Sequence, residues 1–351
     1  MTLLAEQAAG RDNNVLAIRY AAAASVILFH CYALTDHWLD EPLYAAFAPM
    51  NLGALGVEVF FVLSGHLVTQ SWLQHPSAKA FAMARVLRIY PALVAATVFT
   101  IVVAGASSTL PWGEYLASPT TWRYFVRTAS GFDVVDKLPG VFADNPFPHA
   151  ANGSLWTLPV ELRLYVLVGL VGIVGLLARP GAWLVAAIAL CLAMVAWPDL
   201  VPLDPNTRGT RLAAFLFVLG SLASVWRRHV PLSLPGAALA LALPFADAHG
   251  FARDGPLFAL LLSYVVLVVA YHPALRLPGL AGKPDYSYGL YVYAFPIQQT
   301  LVRLAPGIAP SLLFVAAVAL TLAIAALSWH ALEAPALRLK SRFRSSPDGR
   351  P

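Results

Sequence analysis

NNVLAIRYAAAASVILFHCYALT, residues 13–35, is an apolar stretch long enough to cross a bilayer as a helix, yet it carries Arg19 and His30. The two are eleven residues apart. At about 100° per residue that is three turns plus roughly 20°, so both lie on one helical face, separated by roughly 16 Å along the axis. Ionisable groups at membrane depth are expensive, and a functional reading is their default.

The rest of the chain repeats the apolar theme. It has 351 residues, 59% of them hydrophobic and 12% charged, with a mean hydropathy of +0.69. Soluble domains carry about twice that share of charge. Apolar runs near 15–34, 53–72, 86–105, 155–177, 182–198, 211–226, 232–247, 255–271, 286–304 and 311–330 predict about ten transmembrane helices in an all-α polytopic membrane protein. Prolines interrupt two of them, Pro235 and Pro244 in one and Pro296 in the other. The first run is too long for a cleavable signal peptide and leads straight into more spans.

Basic residues give the expected orientation. With the N-terminus inside, the cytoplasmic connections hold Arg11, Lys79, Arg85, Arg88, Arg179, Arg227, Arg228, Arg276, Lys283 and the tail residues Arg338, Lys340, Arg342, Arg344 and Arg350. The outer side holds Arg123, Arg127, Lys137, Arg208, Arg211, Arg253 and Arg303. The bias favours both termini in the cytoplasm. The expected organisation is an N-terminal segment 1–14, a membrane domain 15–335 with one long outer loop at 106–154, and a basic tail 336–351 ending in a disordered RFRSSPDGRP. The net charge of +5 is mostly this topology signal, so no nucleic-acid partner is expected. Cys31 and Cys191 fall inside predicted spans, show no metal spacing, and are expected to be buried and inert. No metal site is expected. Nor is an internal repeat visible, so a transporter built from duplicated halves gains no support.

Several segments carry polar chemistry. The outer loop holds Trp112, Tyr115, Trp122, Tyr124 and Phe125, then KLPGVFADNPFPHAANGS (137–154). A loop this long is either a lid or binding loop, or a connector with interfacial anchoring. NGSLWTLPVELRLY (152–165) opens the fourth span and places Glu161 and Arg163 just inside it. Glu161 and His30 both sit toward the outer end of their spans. A carboxylate beside an imidazole would fix its tautomer and raise its basicity; alternatively Glu161 pairs with Arg163 or another arginine. GALGVEVFFVLSGHLVTQSW (53–72) adds Glu58 toward the outer end, with Ser64 and His66 deeper. Ser64 lacks a nucleophile elbow and reads as a packing serine bonded to a carbonyl. His66 reads as a satisfied interface histidine. RVLRIYP (85–91) puts Arg85 and Arg88 on one face at the membrane surface, either to clamp phosphates or to anchor the helix. DYSYGLYVYAFPIQQ (285–299) supplies tyrosines and two glutamines that either line a polar cavity or tie helices together.

In their order, these blocks resemble the membrane acyltransferases of the type-3 family, which acylate bacterial surface glycans and some small molecules. The resemblance runs from about Ala17 to Pro335. It rests on the Arg19–His30 helix, GALGVEVFFVLSGHL, RVLRIYP, NGSLWTLPVE, YSYGLYVYAFP and the closing Glu333-Ala-Pro335. It implies transfer of an acyl group, usually acetyl from acetyl-CoA, to a hydroxyl. His30 matches the family's essential histidine, Arg19 its partner arginine, Arg85 and Arg88 the positions linked to donor binding, and Glu161 the acid after SLW. Acceptor contacts are expected from Glu58, Trp156 and Tyr288. Two positions depart from the pattern: Ala294 stands where many members have a histidine, and Leu162 where many have a second acid. The soluble outer domain of some members is not in the sequence, so catalysis is expected to rest on His30.

The expected partners are acyl-CoA, a hydroxyl-bearing glycan and membrane lipids, and the expected location is the bacterial inner (plasma) membrane. In the expected mechanism, CoA phosphates dock on Arg85 and Arg88 and the pantetheine arm passes Arg19 toward His30. His30, oriented by Glu161, deprotonates the acceptor; covalent acylation of His30 is the alternative. Competing functions are acylation of a small hydroxylated metabolite and transport of a glycolipid or solute.

Overall fold

The computed structural model describes residues 2–8, 10, 12–200, 207–247 and 255–343. Of the residues used to orient the chain, Arg11, Arg253, Arg344 and Arg350 lie outside these, as does the second half of the basic tail, 344–351. Among the described residues ten helices of thirteen residues or more fall on the ten apolar runs. They are α1 (Val15–Leu34), α2 (Leu52–Gln74), α3 (Ala78–Gly105), α4 (Thr157–Ile173), α5 (Pro180–Ala196), α6 (Arg208–Val225), α7 (Leu234–Ala246), α8 (Gly255–Tyr271), α9 (Ser287–Leu304) and α10 (Pro310–Ser328). Five helical segments, those carrying α1 to α4 and α10, are long and apolar enough to cross a membrane; α5 to α8 are shorter apolar helices.

Local chemistry sets the boundaries. Asn51 caps α2 by accepting from the Ala54 N–H (2.8 Å), and Ser77 caps α3 through the Ala80 N–H (3.3 Å). The proline-interrupted runs still form α7 and α9, with Pro235 in the first turn of α7. Apolar side chains cover much of the bundle exterior: Val185 is 69% and Leu192 63% exposed, with Val102, Leu170, Val315 and Leu327 also bare. Such a surface suits lipid and not water.

Two helices form the interior. The first, α2, packs most extensively on α6. The reason is backbone proximity: a Cβ on Gly65 would collide with the Phe217 carbonyl, and one on Gly220 with that of Val62. The second, α9, is polar for a membrane helix, but thirteen of its eighteen residues are buried, screened by α1, α3 and α10. Its glutamines tie helices together. Gln298 Nε2 donates to the Ile27 carbonyl (2.8 Å) and to Cys31 Sγ (3.0 Å). Cys31 is buried as expected, whereas Cys191 is only half-buried.

The long loop 106–154 is a folded cap. It contains helices Trp112–Ala117 and Pro119–Ser130 and a bridge between Lys137 and Ala150. Tyr115, Tyr124, Leu138 and Phe142 bury against Ile101 and Ala104 at the top of α3. Asn145 Nδ2 donates to both the backbone (2.9 Å) and side-chain (2.8 Å) oxygens of Gln299, whose own amide donates to the Phe147 carbonyl (2.8 Å). At the opposite end the N-terminal strand Thr2–Leu3 pairs antiparallel with Pro231–Leu232, between α6 and α7.

Candidate active site: two chambers in the helix bundle

Helices α1, α2, α4 and α9 enclose two adjoining cavities. The first, termed the inner chamber, has a volume of about 60 Å³ and is lined by Arg19, Phe60, Ser64, Glu161, Ser287 and Tyr288 among others. The second, termed the outer chamber, has a volume of about 230 Å³ and includes His30, Asn51, Glu58, Ser154 and Trp156 in its wall. Val57 and Tyr291 belong to both walls and form the partition. Thr157 Oγ1 and the Tyr291 hydroxyl lie 2.8 Å apart, and that hydroxyl donates to the Ser154 carbonyl (2.7 Å), so the partition ring is anchored to the start of α4. The helical spacing of Arg19 and His30 therefore puts one in each chamber.

In the inner chamber Arg19 Nε donates to Ser287 Oγ (3.0 Å) and lies 3.3 Å from Asp285 Oδ2, with its guanidinium over Phe60. Asp285 also receives Arg88 at 2.8 Å, and Arg88 reaches Glu333 at 3.5 Å while packing between Tyr288 and Trp329. Burial works to raise the Asp285 carboxyl, but Arg19 and Arg88, helped by hydrogen bonds from Ser287, outweigh it and hold it at about 2. The only sequence cue to Asp285 is its place immediately before the tyrosine-rich block.

Glu161 is also an inner-chamber residue. Its Oε1 accepts from Ser64 Oγ (2.9 Å) and from the Tyr165 hydroxyl. This corrects two expectations. Glu161 does not orient His30, because its bonds run to Ser64 and Tyr165 and the imidazole lies in the other chamber. Ser64 bonds a carboxylate, not a carbonyl. Tyr288, expected at the acceptor, instead stacks on Arg88 in the inner wall and donates to the Ile89 carbonyl (3.3 Å). Arg85 and Arg88 diverge. Arg85 packs over Phe81 and Tyr165, donates to Ser71 at 3.5 Å, and lines a separate apolar groove between α3 and α4. The two guanidiniums do not converge on one phosphate-sized point.

The outer chamber holds the histidine. The His30 ring meets Phe295 edge-on at 5.1 Å and Phe29 at 5.7 Å, and its Nδ1 is buried with no hydrogen-bond partner among the described residues. Phe147 of the cap meets Phe295 edge-on at 6.5 Å, so the cap backs the imidazole indirectly. Glu58 lines this chamber and a neighbouring one bounded by Leu212 and Phe258. Trp156 is 44% exposed, and Gly209 leaves room for it, since a Cβ there would sit 3.3 Å from the indole. His66 is not the satisfied histidine expected: both ring nitrogens are buried without a partner among the described residues, and its ring packs edge-on against Tyr271 at 5.3 Å. Ala294 is buried with α1 residues Ala23 and Ile27. Among the described residues no three His, Cys, Asp or Glu side chains cluster as a metal ion would require.

Fold and site together define a helical membrane protein with polar chambers at depth, one carrying an arginine and the other a histidine. A family model described as an acyltransferase domain matches residues 13–330, and the chain belongs to that type-3 acyltransferase family. It is 29% identical to nodulation protein 10 of Rhizobium leguminosarum bv. viciae, over 96% of each chain. It is 28% identical to an O-acetyl transferase of Shigella phage Sf6, over 94% of this chain and 96% of the relative. It is 27% identical to the peptidoglycan O-acetyltransferase OatA of Listeria monocytogenes, over 81% of this chain and 51% of that one. No solved structure was found to match.

Proposed function

We propose that this protein transfers an acetyl group from cytoplasmic acetyl-CoA to a hydroxyl of a cell-surface or exported glycan, across a bacterial inner membrane that it spans ten times with both termini inside. The observation that carries the reading is the pair of adjoining chambers, one holding Arg19 and the other His30, in a member of an acyltransferase family. Relatives named for O-acetyl transfer, one of them to peptidoglycan, support the acetyl group and the glycan.

In this mechanism separate CoA phosphates approach the diverging Arg85 and Arg88, and Arg19 guides the donor into the inner chamber. The pantetheine arm covers the roughly 16 Å toward His30. Glu161, held by Ser64 and Tyr165, accepts hydrogen bonds from the arm's amides. The thioester passes the Val57–Tyr291 partition. His30 then acts as general base on the acceptor hydroxyl. Trp156 stacks on the acceptor sugar and Glu58 takes its hydroxyls. The experiment is a comparison of O-acetyl content in surface polysaccharide from cells with and without the protein. Loss of acetyl groups with the protein's removal is the expected result; unchanged acetylation would contradict the glycan acceptor.

A further inference from the structure

Ser154 lies in the 3₁₀ turn Gly153–Trp156 that leads into α4, and its backbone is held on both sides. Its N–H donates to Asn152 Oδ1 (3.3 Å) and its carbonyl accepts from the Tyr291 hydroxyl (2.7 Å). Asn152 is itself fixed by donating to the Val292 carbonyl of α9 (2.9 Å). None of these bonds uses the serine side chain. Ser154 is 2% exposed, and its Oγ is buried with no partner among the described residues.

That omission needs a cause. An unmade hydrogen bond at a buried group costs about 1–3 kcal/mol, and serines commonly escape it by bonding a nearby backbone group. A second unmet polar atom, His30 Nδ1, is on another residue of the same chamber wall, and the two are not bonded to each other. Two unmet groups in one chamber wall suit a substrate that brings the missing partners.

We propose that Ser154 is a further catalytic residue: its hydroxyl donates a hydrogen bond to the acyl carbonyl oxygen as that oxygen becomes anionic. The assignment rests on the acyl-transfer reading above. In the step, the acceptor hydroxyl loses its proton to the His30 imidazole while its oxygen attacks the thioester carbonyl carbon. A C–O bond forms and the carbonyl electron pair moves onto oxygen, where Ser154 meets it. The pair returns, the C–S bond breaks, and the CoA sulfur leaves as thiolate and takes the proton from the imidazolium. Ester and free CoA thiol result. Loss of one such donor typically lowers kcat by about 10²–10³-fold.

The test uses the purified full chain in lipid nanodiscs, with acetyl-CoA as donor, surface glycan from cells lacking the protein as acceptor and thiol release as readout. Wild type, His30→Ala, Ser154→Ala and Ser154→Thr are compared, with thermal unfolding of each. The expected result for Ser154→Ala is a kcat lower by about 100-fold or more with KM for acetyl-CoA within about threefold. Its thermal stability should be equal to wild type or higher, because an unsatisfied buried hydroxyl has been removed. Ser154→Thr, which keeps the hydroxyl, should recover part of the rate. A Ser154→Ala protein with near-wild-type kcat overturns the assignment. So does one whose rate falls in step with its melting temperature, which marks a structural role. An acetyl group found on Ser154 by intact-mass analysis would make it a nucleophile and equally overturn the proposed role. Wild-type protein that releases no more thiol than His30→Ala overturns the acyl-transfer reading itself, and the Ser154 assignment with it.

Discussion

Replacing Asp285 by asparagine should destabilise the protein without changing its shape. The carboxylate is shared by Arg88 at 2.8 Å and Arg19 at 3.3 Å, all three side chains being less than a quarter exposed. Two unit charges about 4 Å apart interact by about 4 kcal/mol at an effective dielectric of 20. Removing one partner of a largely buried pair typically costs about 3–5 kcal/mol because the other charge is left uncompensated. Glu333 remains near Arg88 at 3.5 Å and softens the loss there, so Arg19 bears most of it. The expected cost is therefore about 3 kcal/mol, read by denaturant or thermal unfolding in a mild detergent. The pH dependence gives an independent check. Asp285 is held at about 2 against an ordinary value of 3.8. A depressed carboxyl contributes stability that is fully present above its unfolded value and lost as pH falls through the folded one. The wild-type advantage over Asp285→Asn should hold steady from pH 7 to about 5, then shrink between about 4 and 2. Equal stability of the two proteins at pH 7 would refute the claim that this carboxylate neutralises the two arginines.

Two further outcomes follow from the helix contacts. Gly65→Ala should push α2 off α6, since its Cβ would meet the Phe217 backbone with no side chain to yield; a cost of about 3 kcal/mol and reduced membrane yield are expected, whereas a neutral substitution would contradict the close approach. Glu161→Gln should raise KM for acetyl-CoA several-fold while leaving the pH–rate profile of kcat in place, because Glu161 shares a chamber with Arg19, where the proposed mechanism puts the donor. A shifted base pKa in that profile would restore the discarded pairing with His30.

The ten helices were legible because hydropathy is a property of each run taken alone. Even the Pro-bearing run at 286–304 obeyed it: Pro296 and the tyrosines are tolerated because α9 is wrapped by protein and not by lipid. The spacing of Arg19 and His30 was legible for a similar reason, being internal to one helix. Partners across helices were not. Whether Glu161 reaches His30 depends on the rotation of α4 about its axis, and that rotation is set by packing that leaves Ser64 and Tyr165 beside the carboxylate. The placement of Tyr288 depends likewise on the rotation of α9, which turns it into the chamber of Arg19 and Glu161. The role of Asp285 is not legible in sequence because its partners come from α1 and α3, far away along the chain. The unpaired oxygen of Ser154 and nitrogens of His66 are visible only once every neighbour is in place.

The most direct test of the account is the His30→Ala protein, inserted and folded in the membrane, given labelled acetyl-CoA and the surface glycan of cells lacking the enzyme. Label transfer to glycan is expected to disappear while yield and unfolding temperature match wild type. Transfer at the wild-type rate by a well-folded His30→Ala protein would contradict it.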